Sequence, residues 1–218
     1  MLLKAFRPKG YHVFDVSLNK RPRKIRPDLD EFWGGYEIEF KLISLDRFDE
    51  LKSNPDRIRR ESLPVGRRNS TKLRIEISRH EYCPMVEEAD LNGYMVKVYA
   101  PALIAIEKLR AICQQIREYR DIVPSSTASP RARDFFDIYT IVAMCKVDLL
   151  SCENREILAA VFKAKKVPLN FLRKLRSYRE YHSEDFVAVK DTVKPTVKLR
   201  DFDFYFDFVV DICDRLYP

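Results

Sequence analysis

YMVKVYAPALIAIEKLRAICQQ, residues 94–115, contains the change of period that decides the architecture. From Tyr94 to Tyr99 the side chains alternate as in a strand. At Ala100-Pro101 the period changes, and proline is well placed in the first turn of a helix. Leu103, Ile106, Leu109, Ile112, Cys113 and Ile116 then recur at three- and four-residue steps, which predicts an amphipathic helix to about residue 120.

Toward the N-terminus the strand period dominates. Residues 11–18 (YHVFDVSL), 35–44 (GYEIEFKLIS) and 72–78 (KLRIEIS) alternate apolar with polar side chains, and a loop separates the first two. Residues 45–60 read as a surface helix interrupted near Pro55. Toward the C-terminus no strand is needed. A Ser/Pro-rich loop, VPSSTASP, leads to a helix over 131–146, and further helical patterns cover 151–164, 168–181 and 201–216. The expected fold is α+β: a small mixed sheet with flanking helices in residues 1–100, then a helical bundle in residues 101–218.

Composition narrows the function classes. The chain has 218 residues, 46% hydrophobic and 33% charged, enough for a sizeable core. No apolar run approaches the roughly 20 residues of a membrane span, and the opening MLLKAFRPKG lacks the apolar stretch of a signal peptide. The expected location is the cytoplasm, with no membrane partner. The five cysteines form no C-x-x-C pair, and three histidines give little material for hydrolysis by a histidine base. A net charge of +7, with basic clusters at 20–26, 57–68, 163–166 and 173–179, favours polyanions such as nucleotides and RNA.

The polar residues that helical packing does not explain lie in two segments. Lys108 and Arg110 sit beside apolar positions in PALIAIEKLRAICQQ. In PRARDFFDIYTIV, Asp134 and Asp137 are three apart and Arg131 lies one turn before Asp134, so these groups share a helix face. They suit either a helix-start carboxylate with Arg131 and Lys108 as ion-pair partners, or a centre in which Lys108 offsets phosphate charge while Asp134 orients it.

The stretch VYAPALIAIEKLRAI followed by SPRARDFFDIYTIV resembles the signature of the AbiEii/AbiGii-type nucleotidyltransferase toxins of toxin–antitoxin and abortive-infection systems, an E-K-L-x-A helix followed by A-R-D-x-x-D. The resemblance implies a nucleotidyltransferase fold with a helical C-terminal domain. It also implies transfer of a nucleotide from a nucleoside triphosphate, with magnesium, onto an RNA (tRNA) or protein hydroxyl, and an antitoxin partner. Lys108 matches the family's motif lysine and Asp134 its motif aspartate; Arg110, Arg131 and Arg133 are the candidate substrate contacts.

The chain departs from the family upstream. It has no R-x-S-x-D-x-D element to hold the metal ions; the nearest equivalents are Glu37-Ile38-Glu39 and, in the preceding loop, Asp28-Leu29-Asp30, and the expectation is either a degenerate member or one whose N-terminus lacks the first strand and helix. Glu37 and Glu39, on one face of a strand, and Glu76 on another are the candidate magnesium ligands. Two other readings use the same region. Pro27-Asp28 with Glu39-Phe40-Lys41 fits the loose pattern of metal-dependent nucleases, and the basic clusters with aromatics such as Trp33 and Tyr178 fit RNA binding without turnover.

Overall fold

By its contacts the chain divides into two compact units, Met1–His80 and Glu81–Pro218. The computed structural model describes residues 2–65, 69–84, 86–194 and 196–217, apart from the side chain of Leu3.

In the first unit α1 (Leu2–Phe6) leads into β1 (Tyr11–Arg21), and α2 (Pro27–Asp30) precedes β2 (Gly35–Ser44). The chain then forms α3 (Leu45–Leu51), α4 (Pro55–Arg60) and β3 (Leu73–Ser78). The break near Pro55 begins a second helix: Pro55 occupies its first turn, and the Asn54 side chain accepts the Arg57 N–H. The strands lie in the order β1-β2-β3. Where a small mixed sheet is expected, every strand pair is antiparallel, here and in the second unit. The return over 22–34 and the two-residue turn at 92–93 reverse the chain, whereas parallel neighbours need a crossover.

Alternation sorts β2 into two faces. Phe40 and Leu42 pack with Val13, Phe6, Leu63 and Leu73 on one face. On the other, Ile43 is covered by Leu51 of α3 and Ile58 of α4. Burying each of these side chains contributes about 1.5–3 kcal/mol. Beyond that apolar end, the second face continues through Lys41, Glu39 and Glu37 and becomes ionic. Gly35 is obligatory where β2 meets β3, because a Cβ there would lie 2.2 Å from the Ile77 carbonyl oxygen.

The second unit opens with a hairpin of β4 (Val86–Leu91) and β5 (Tyr94–Tyr99). Asn92 and Gly93 both take positive φ, 55° and 85°, as a two-residue hairpin turn requires. Eight helices follow among the described residues: α5 (Pro101–Cys113), α6 (Tyr119–Ile122), α7 (Ala132–Cys145), α8 (Cys152–Ala164), α9 (Phe171–Lys174), α10 (Arg179–Ser183), α11 (Phe186–Thr192) and α12 (Phe202–Leu216). α5 ends earlier than its apolar spacing predicts. Ile116 and Tyr119 remain buried, but from the turn after α5 and from α6, where the Tyr119 hydroxyl donates to the Lys165 carbonyl at 2.7 Å.

α5 packs on α7 and α8, and α12 packs on α7 and α9. Leu103, Ile106, Leu109 and Ile112 of α5 are at most 1% exposed, as are Phe135 and Ile138 of α7, so the two helices that carry the signature residues share one core. Among the described residues, no helix is long and apolar enough to cross a membrane.

Candidate active site

The burial of Ile106 and Leu109 fixes the rotation of α5 and leaves Lys108 at its margin, with a quarter of its side chain exposed. The start of α7 faces it. A helix N-terminus leaves its first N–H groups without intrahelical partners, and here elements about fifty residues downstream supply them. The Arg131 N–H donates to His182 Nδ1 at 3.2 Å, and the Ala132 N–H donates to Asp185 Oδ1 at 2.9 Å. His182 is fully buried among Phe135, Tyr178 and Tyr181. These contacts set the position of the first turn of α7, and therefore of Asp134.

Lys108 Nζ donates to Asp134 Oδ1 at 2.8 Å and to Asp137 Oδ2 at 2.9 Å. Asp134 also accepts from Arg131 Nε, and Asp137 accepts from Arg133 Nε at 2.8 Å. Arg133 is held in turn by Thr192 Oγ1 at 2.8 Å and lies over the Phe136 ring. The order is Arg131–Asp134–Lys108–Asp137–Arg133. Three cations against two carboxylates leave one net positive charge. Asp134 is 6% exposed, so its bonds form in a medium where a lost partner is expensive.

Burial works against the Lys108 ammonium, but the hydrogen bonds to Asp134 and Asp137 outweigh it, and its pKa lies above that of an ordinary lysine. Lys108 is therefore a fixed cation and not a proton carrier at neutral pH. Two of its three N–H donors are committed to carboxylates. His182 behaves oppositely: burial and the neighbouring Arg131 push its pKa down to about 4, against a small opposing effect of Asp134. The ring is neutral, with Nδ1 as acceptor and the proton on Nε2, which has no hydrogen-bond partner among the described residues.

The structure thus brings Lys108, Asp134, Arg131 and Arg133 into one network. It places Arg110 elsewhere: Arg110 Nε donates to Glu107 at 2.7 Å and Arg110 Nη1 to Gln114 at 2.6 Å. Burial raises the pKa of Glu107, and Arg110 opposes that rise. Asp137 was not among the candidate site residues, although its three-residue spacing from Asp134 was a signal. No sequence signal pointed to His182 or Asp185.

Glu37, Glu39 and Glu76 share one sheet face, with Glu37 directly opposite Glu76. Each is held by cations. Arg21 Nη1 bridges Glu37, at 2.5 Å, and Glu76, at 3.3 Å. Glu39 accepts from Lys72 at 3.0 Å and Arg74 at 2.9 Å; these bonds hold its pKa below the usual carboxylate value. Among the described residues, no group of three or more His, Cys, Asp or Glu side chains is arranged to hold a metal ion. As arranged, the three glutamates do not fit a magnesium ion, because lone pairs that would face the metal are given to guanidinium and ammonium groups. The nuclease-like residues are also divided among separate pairs: Asp28 with Arg26, Glu39 as above, and Lys41 with Asp15 at 3.3 Å.

The second unit thus holds a lysine clamped by two carboxylates at a helix start. The family model for the nucleotidyl transferase AbiEii toxin of type IV toxin–antitoxin systems matches residues 16–208. The chain belongs to that family. No curated protein and no solved structure matches it. The family is one of nucleotidyltransferase toxins, and membership implies a nucleotide substrate and an antitoxin partner. Nucleotidyltransferases generally use a divalent metal.

Proposed function

We propose that this chain transfers a nucleotide from a nucleoside triphosphate to a hydroxyl of an RNA, with Lys108 as the cation at the phosphates and Asp134 as the group that holds it. The observation that carries this reading is the two-carboxylate clamp on Lys108, which fixes the ammonium while leaving a donor for a ligand. In the reaction the acceptor hydroxyl gives up its proton to solvent, its oxygen bonds to the α-phosphorus, and the bond from that phosphorus to the α–β bridging oxygen breaks, releasing pyrophosphate. A preorganised ammonium favours the charge developing on phosphate oxygens, and its raised pKa keeps it charged throughout. Arg131 and Arg133 brace the two carboxylates and add positive charge at the substrate side. The metal supplies charge neutralisation at the triphosphate when bound; the glutamates as arranged assign it no place. The expected location is the cytoplasm.

The test is labelling of an RNA pool by radiolabelled nucleoside triphosphates. Lys108→Ala and Asp134→Ala are each expected to abolish labelling while the variants keep their helical circular dichroism. Labelling that survives either substitution in a folded variant refutes the assignment.

A further inference from the structure

Two of the glutamates that do not suit a metal, Glu37 and Glu39, line a concave part of the first unit. The groove is about 550 Å³ and is lined by Lys20, Arg21, Arg23, Lys72 and Arg74 with Glu37 and Glu39. Its five cations face Glu37 and Glu39, and with Asp30 paired to Lys20 and Glu76 to Arg21 the cluster keeps a net charge of +1. Register explains the arrangement: β2 is the central strand, so Glu37 and Glu39 lie in the middle, while Arg21 comes from β1 on one side and Arg74 from β3 on the other. The bonds to the glutamates use Nη1 of Arg21 and Nε of Arg74. Each arginine has five N–H donors, so the rest of each fork remains for a ligand.

We propose that this groove binds the phosphodiester backbone of an RNA, with Glu37 and Glu39 acting as internal counterions that hold Arg21, Lys72 and Arg74 in place. Phosphate oxygens then compete with the glutamates for the same N–H donors, so each glutamate keeps its cations in the groove while lowering the affinity. The lining has no aromatic ring on which a base could stack, so the groove engages phosphates without reading sequence. Arg23 is exposed beside the groove and extends the cationic track. The inference rests on the transferase reading only in taking the bound strand as the acceptor.

The experiment measures binding of the full chain to a short fluorescein-labelled single-stranded RNA by anisotropy, across a salt series without nucleotide. Two lost phosphate contacts lower the log–log salt slope by about 1.4. Lys72→Ala with Arg74→Ala is therefore expected to weaken binding about 20-fold near 0.1 M salt. Glu39→Gln removes a competing anion and is expected to tighten binding about fivefold, whereas a metal-ligand role predicts no such gain. If the double variant fails to fold, Arg23→Ala supplies the same readout, with a slope lower by about 0.7. An unchanged slope, or weaker binding by Glu39→Gln, overturns the proposal. Labelling that depends on Lys108 while RNA affinity ignores these substitutions removes the groove and leaves the transferase reading intact.

Discussion

Lowering the pH from 7 to 4 is expected to cost the helical unit about 3 kcal/mol through His182 alone. Its folded-state pKa is about 4, against an ordinary value of 6.5, and burial beside Arg131 is the cause. The folded form therefore binds fewer protons than the unfolded chain between these values. Its contribution is fully present above pH 6.5, is lost progressively as the pH falls toward 4, and changes little further below. Protonation also removes the Nδ1 acceptor from the Arg131 N–H, at the turn that presents Asp134. The assay is urea unfolding followed by far-ultraviolet circular dichroism, which reports chiefly on the helix-rich second unit. His182→Asn retains an acceptor at the Nδ1 position and does not titrate. The wild-type stability curve should fall by about 3 kcal/mol more than that of the variant between pH 6.5 and 4, with carboxylate effects common to both. Parallel curves would refute the claim that a neutral, buried His182 holds the start of α7.

Other substitutions separate parts of the account. Asp137→Asn weakens one of the two clamps on Lys108 and is expected to reduce RNA labelling about tenfold, whereas Arg110→Ala, outside the network, should leave labelling nearly unchanged. Gly35→Ala forces a Cβ against the Ile77 carbonyl and should destabilise the first unit by about 3 kcal/mol, followed by Trp33 fluorescence in urea. Asp201→Ala removes the side chain that accepts the Phe204 N–H at the start of α12, at a cost of about 1 kcal/mol by urea unfolding.

The elements with strong periodicity were readable from sequence: α5, α7, α8 and α12 bury one stripe each, and β1, β2 and β3 alternate. β4 was missed because VEEADL is acidic and mostly exposed, leaving no apolar face to read; the Asn92-Gly93 turn was its one signal. α11 is too short for a period. At the candidate site, sequence spacing placed Arg131, Asp134 and Asp137 on one helix face, because helical neighbours are local. His182 and Asp185 could not be found that way, since their contacts with α7 span more than fifty residues. The glutamates show the same divide. Alternation put Glu37 and Glu39 on one face, but only the strand register shows that Arg21, Lys72 and Arg74 lie against them.

The central claim is that Lys108 serves nucleotidyl transfer and not another phosphate chemistry. The most direct measurement incubates the chain and an RNA pool with one nucleoside triphosphate labelled at either the α- or the γ-phosphate. The account predicts that RNA retains the α-label and never the γ-label, with pyrophosphate released in equal amount, and that Lys108→Ala abolishes both signals. Retention of the γ-label, or undiminished α-labelling by folded Lys108→Ala, would contradict it.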